Sequence, residues 1–343
     1  MIKRIWRTLS TMCCWRFLPF FWLFSMGSGL IQRNFITIPK MERSNILSNY
    51  HFDNDNPLVL QKKMDAWFDI TRINRNFLPI SVLVGLSGYI ADKTEIFSVS
   101  FLGAFSMVHM MSALSMVVND LHDIDADCIN HSERPLVQGT ISEKEAVVFV
   151  VAMLLAIPAV GYSLLPSYVA PIWLGAMALV LTYSPILKKM FFIKNMTCAL
   201  VVASTVPFVA FSLASPIPNL HWVRLTAQTL FMASLYIELL LDILDIQGDS
   251  KNGVPTFPVV FGKDTTLLFT TGIVSVGWIN MLVDLCKHQV PVPVFAGIAL
   301  AYSPFYLNLW RIWSTKGSKE TVTNAIRQTT TSLIVYFVSI IIL

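Results

Sequence analysis

The sequence predicts an all-α, polytopic membrane protein, and three observations carry that prediction. Only 13% of the 343 residues are charged and 55% are hydrophobic, whereas soluble domains carry about 25% charged residues. The apolar residues gather in long stretches nearly free of charge, most of them close to the roughly 20 residues a helix needs to cross a bilayer. The strict alternation of apolar and polar residues that marks a half-buried strand is nowhere sustained. A mean hydropathy of +0.61 agrees with lipid as the solvent.

About nine spanning helices are expected, over residues 76–91, 97–118, 147–165, 168–187, 196–213, 225–241, 267–285, 294–310 and 329–343. Sorting the connecting charges by side tests this count. Fifteen lysines and arginines between Lys62 and Arg327 fall on the side of the N-terminal segment, and only Lys93, Arg224 and Lys287 on the other. Cytosolic or organelle-interior loops carry such an excess of basic residues, so the rich side faces the cytosol, the matrix or the stroma. The formal net charge of +4 is too small to argue for nucleic acid, and basic residues of this pattern set topology.

Three segments are expected. Residues 1–45 form a basic leader, with Lys3, Arg4, Arg7, Arg16 and Arg33 and no acid before Glu42. It reads either as a plastid or mitochondrial targeting segment or as a membrane-surface or signal-anchor helix. Residues 46–70 read as a polar linker, and residues 71–343 as the transmembrane domain. Cys13, Cys14, Cys128, Cys198 and Cys286 form no C-x-x-C pair and are odd in number, so neither a zinc site nor a disulfide framework is indicated.

The chemistry concentrates at two helix ends on the basic side. The second span runs into Asn119-Asp120-Leu121-His122-Asp123-Ile124-Asp125-Ala126-Asp127. The sixth runs into Asp242-Ile243-Leu244-Asp245-Ile246-Gln247-Gly248-Asp249. Asp120, Asp123 and Asp127 stand at i, i+3 and i+7, as do Asp242, Asp245 and Asp249, so a helix places each triad on one face. Stacked carboxylates at a membrane boundary repel one another and resist desolvation, and no lysine or arginine within either motif offsets them. A divalent cation would. Mg²⁺ uses one or two carboxylates plus substrate phosphates, so two facing triads suit a metal-bound diphosphate.

These motifs resemble the signatures of the UbiA superfamily of intramembrane prenyltransferases. Asn119 to Asp127 is similar to its N-D-x-x-D-x-x-x-D signature, and Ile129 to Ser142 to the I-N-x-x-x-R-P-L-x-x-G-x-I-S continuation. The second motif, with Gly253, Thr256, Pro258 and Gly262, is similar to the second signature and its tail. Tyr183-Ser184-Pro185-Ile186-Leu187-Lys188-Lys189 resembles a stretch of chlorophyll synthases and archaeal ether-lipid prenyltransferases. The resemblance covers the chain from about Arg72 onward. It implies a helical bundle around a central cavity, Mg²⁺ as cofactor, and a prenyl diphosphate and a hydrophobic, aromatic or lipid acceptor as partners. The six aspartates would hold Mg²⁺ through the diphosphate. Asn119, Arg72, Arg134 and Lys188 would bind the diphosphate itself, with Lys189 open as an alternative to Lys188.

Glu238 lies one turn before Asp242 inside an apolar stretch, where an ionisable residue is a functional candidate; it is expected to line the acceptor cavity or act as a base. His109 precedes Asp120 by three turns on the same face and is a weaker cavity candidate. The expected function is Mg²⁺-dependent prenyl transfer. The alternatives are a cyclase acting on the prenyl diphosphate alone, a cation transporter or a non-catalytic scaffold. The intact first motif favours transfer.

Overall fold

The computed structural model describes residues 57–213, 217–251 and 253–342. The chain falls into two units, Met1–Val59 and Leu60–Leu343. The expected leader lies outside the described residues. Part of the expected linker is ordered, since Pro57–Ile70 forms helix α1. Proline suits the first turn of a helix. Ala66 and Ile70, one turn apart, bury against Val117, Leu136, Ile141 and Ala146. Polar composition hid an amphipathic helix.

Every regular element of the described residues is helical. After α1 come α2 (Ile73–Asp92), α3 (Val99–Asn130), the short α4 (Pro135–Gln138), α5 (Glu143–Leu164), α6 (Ala170–Tyr183) and α7 (Ile193–Leu213). The remainder are α8 (Leu220–Lys251), the short α9 (Phe257–Phe261), α10 (Lys263–Lys287), α11 (Val292–Ser314) and α12 (Lys319–Ile341). Their starts are written locally. The Ser98 hydroxyl accepts the Phe101 N–H to begin α3, and Ser142 and Glu145 form a reciprocal capping box at α5. Gly139, at φ 71°, ends α4 in a conformation that costs glycine little.

Each of the nine apolar stretches lies largely within a helix. Among the described residues, five helices are long and apolar enough to cross a membrane: the Val99–Asp125 part of α3, then α5, α7, α10 and α11. The α6 region, Ser167–Tyr183, is apolar but shorter. Helices α2, α8 and α12 dilute their apolar stretches with charged or polar residues such as Arg75, Glu238, Asp242 and Arg327.

Helix α7 packs on α2, α3, α6 and α8, so both motif-bearing helices lean on it. One core joins buried residues of α2, α7, α8, α10, α11 and α12 around Tyr236, Tyr302 and Phe305. A second joins α2, α3, α5, α6 and α7 around Met107, Leu114 and Trp173. Gly161 of α5 lets Trp173 close on the helix, for a Cβ there would stand 2.8 Å from the indole ring. Gly161→Val is therefore expected to destabilise by about 1–3 kcal/mol through overpacking, seen as a lower thermal unfolding midpoint in detergent. Gly175→Ala on α6, where nothing lies within 4 Å, should leave that midpoint unchanged or higher.

Candidate active site

The two acidic motifs close α3 and α8 as continuous extensions of their apolar helices. Their first aspartates are the most secluded, Asp120 at 2% exposure and Asp242 at 3%. A carboxylate so far from water needs a partner, and basic residues from other elements supply it. Arg72 Nη2 shares its donors between both oxygens of Asp120, at 3.2 and 3.1 Å. Arg134 Nη1 donates to Asp120 Oδ1 at 2.9 Å and to Asp127 Oδ2 at 2.5 Å. Lys188 pairs with Asp123, and Ser184 Oγ donates to Asn119 Oδ1 at 3.2 Å. Arg72, Arg134 and Lys188, expected on a diphosphate, thus converge on the first triad.

The cations sit at junctions, whereas the aspartates sit on a long helix. Arg72 caps α2 with φ 55°, a left-handed backbone uncommon outside glycine. Arg134 precedes Pro135 at the start of α4, and Lys188 lies in the one-turn 3-10 helix Leu187–Lys189.

The first aspartate of the second triad is held from α7. Lys194 Nζ donates to Asp242 Oδ1 at 2.6 Å, and Asn195 Nδ2 to Asp242 Oδ2 at 3.0 Å. Neither residue was singled out for this role from the sequence. The available signal was a lysine and an asparagine opening an apolar span on the basic side. The offset sought from within the motifs comes from elsewhere in the chain. Asp245 is exposed and Asp249 half-buried. Asp249 lies beside Thr256 and within the field of Lys194, and burial pushes its carboxyl above the usual range. Burial does the same to Asp127, opposed by Arg134.

Rings lock the loop that follows. Phe257 stacks on Phe269 at 4.5 Å and on Phe191 at 5.7 Å, joining α9 to α10 and to the segment before Lys194.

Among the described residues, no three histidine, cysteine or acidic side chains close on one point as a metal cage. Among the described residues, no hydrogen bond or ion pair joins one aspartate triad to the other. The donor set nonetheless suits a hard cation. Asp249 Oδ2, Asn195 Oδ1 and Thr256 Oγ1 are buried oxygens without a hydrogen-bond partner, and Mg²⁺ prefers oxygen donors shared with phosphates.

Glu238 is half-buried on α8, one turn from Asp242 and within hydrogen-bonding reach of Cys198 on α7. Cys198 Sγ donates to the Tyr183 hydroxyl at 3.2 Å. His109 is engaged in the seam between α2 and α3. Its Nδ1 lies 2.8 Å from the Phe105 carbonyl and its Nε2 3.2 Å from Ser81 Oγ, between the rings of Phe77 and Phe105. That is a packing position.

The family model for the UbiA prenyltransferase family matches residues 78–329. The chain is 28% identical over 247 residues to a digeranylgeranylglyceryl phosphate synthase of Pyrococcus abyssi, covering 71% of this chain and 83% of that one. It is 30% identical over 273 residues to the enzyme of that name from Sulfurisphaera tokodaii, covering 70% of this chain and 93% of that one. Its fold matches a UbiA homolog from Archaeoglobus fulgidus bound to DMAPP and Mg²⁺, with TM-score 0.58, 20% identity, and coverage of 81% and 100%. The chain belongs to the UbiA prenyltransferase family. It is a membrane prenyltransferase.

The contacts at Asp242 predict a stability pattern. Lys194→Met alone strands a buried carboxylate and is expected to cost about 3–5 kcal/mol. Lys194→Met with Asp242→Leu should recover most of that loss, because both charges leave together. Thermal midpoints of the two variants, measured side by side in the same detergent, check this.

Proposed function

We propose that the protein transfers a prenyl group from an isoprenoid diphosphate to a membrane-embedded acceptor in a Mg²⁺-dependent reaction. The observation that carries this reading is the pairing of two aspartate triads, each at the end of an apolar helix and each met by cations from other elements. Asp123, Asp245 and Asp249 are the best placed to take metal, since they are less secluded than Asp120 and Asp242. Bound Mg²⁺ would supply positive charge where the leaving diphosphate develops negative charge. Asp120, Asp127 and Asp242 complete the acidic lining and fix the cations. Arg72, Arg134 and Lys188, with Asn119 beside them, recognise the diphosphate, with the cations turning from the carboxylates as metal neutralises these.

The relatives named for digeranylgeranylglyceryl phosphate synthesis favour a lipid alcohol over an aromatic ring as acceptor. Solved UbiA homologs holding DMAPP or GPP together with Mg²⁺ support the donor class and the metal. The reading also includes nine membrane crossings around a central cavity, with residues 71–343 as the catalytic domain.

Three measurements test this. Asp245→Asn, at an exposed position, is expected to lower Mg²⁺-dependent turnover at least about 100-fold without moving the thermal midpoint; unchanged turnover would remove Asp245 from the site. Prenyl diphosphate supplied without acceptor should yield no cyclic hydrocarbon, and such a product would point to a cyclase. In sealed vesicles, single-cysteine variants retaining Cys128 or Cys286, both exposed, should react with an impermeant maleimide from opposite sides. Labelling from the same side would rule out the nine-span count.

A further inference from the structure

Helix α8 carries a half-buried stripe that runs back from its aspartates into the apolar stretch. From Gln228 to Asp245 the unburied positions advance in steps of three or four: Gln228, Phe231, Ser234, Glu238, Leu241 and Asp245, flanked only by Ile237 and Leu244. Such steps trace one stripe along a helix. Its metal end is Asp245, and Glu238 stands two turns back from it, or about 10 Å at 1.5 Å per residue. Gln228 lies about 15 Å further on by the same rise.

The stripe is polar where lipid would demand hydrocarbon. Gln228 and Ser234 make no hydrogen bond among the described residues, although most serines of the neighbouring helices bond back to a carbonyl of their own helix, as Ser204 and Ser212 do. An amide and a hydroxyl without partners are costly against acyl chains. Intramembrane ionisable residues face the bundle interior or a cavity. Glu238 lies within hydrogen-bonding reach of Cys198, which in turn donates to the Tyr183 hydroxyl.

We propose that this stripe is the acceptor's binding track and that Glu238 is the catalytic residue that takes the acceptor's proton. The proposal rests on the prenyl-transfer reading and narrows the acceptor to a molecule with a hydroxyl group. Gln228 and Ser234 hydrogen-bond the acceptor's polar part. Its hydroxyl proton passes to the Glu238 carboxylate as the oxygen bonds to C1 of the prenyl group. The bond from C1 to the diphosphate oxygen breaks, and its electron pair leaves with the diphosphate.

The test uses full-length protein in nanodiscs with Mg²⁺ and geranylgeranyl diphosphate. Geranylgeranylglyceryl phosphate is the acceptor probe, the alcohol that remains when one prenyl group is taken from the relatives' named product. Ether product and released diphosphate are measured separately. Glu238→Gln is expected to lower ether formation about 100-fold or more, the usual worth of a positioned base. Diphosphate release with prenyl alcohol should stay within about threefold of wild type, since ionisation of the donor does not need this carboxylate. Glu238→Asp should restore part of the ether yield. Gln228→Leu and Ser234→Ala should each raise the acceptor KM severalfold with little change in kcat, as loss of uniform binding does.

Ether formation retained in Glu238→Gln, or diphosphate release lost in step with it, would overturn the assignment. So would transfer to an aromatic carbon but never to the alcohol. If wild-type protein neither releases diphosphate nor makes product, the prenyl-transfer reading itself fails, and this one with it.

Discussion

A carboxylate withdrawn from water at the end of an apolar helix must meet a cation, and that requirement organises this protein. Asp120 and Asp242 are almost wholly secluded, yet neither motif contains a basic residue. The partners come from the α1–α2 junction, from the turn into α4, from the loop after α6 and from the head of α7. Fixing those four places fixes much of the bundle's basic face. The price of burying charge is met by tertiary structure. Breaking one half of such a pair is far more costly than omitting both halves.

Helix α7 is the element on which this depends. It touches α2, α3, α6 and α8, and its first turn grips Asp242 through Lys194 and Asn195. One turn later it presents Cys198 toward Glu238 and Tyr183. Lys194 and Cys198, four residues apart on α7, thus face Asp242 and Glu238, four residues apart on α8. The two rungs run from the aspartate end of α8 back into its apolar stretch.

Much of this was legible before any coordinates. Absence of strand alternation gave the all-α class, and i, i+3, i+7 spacing identified both triads as single helix faces. Arg134 and Lys188 could be nominated because they sit in motif-like stretches, and they do reach the first triad. What could not be read was pairing across the chain. Arg72 and Asp120 are 48 residues apart, as are Lys194 and Asp242, and no periodicity reports such a contact. The linker misled because the amphipathic pattern of α1 is short and lies among polar residues. His109 shares a helix face with Asp120, yet it spends one ring nitrogen on a carbonyl of its own helix and the other on Ser81 of α2, since spacing along one helix says nothing of what stands opposite.

The direction of those long-range pairs bears on how the chain is made. Arg72 precedes Asp120, and Lys194 precedes Asp242, so translation delivers each of these cations before its acid. When α3 or α8 reaches the bilayer, a positively charged residue is already waiting in the preceding part of the chain. Membrane integration can therefore proceed from N- to C-terminus with Asp120 and Asp242 each meeting a cation already made, and a circular permutant that reversed this sequence of events would have to insert an orphaned charge.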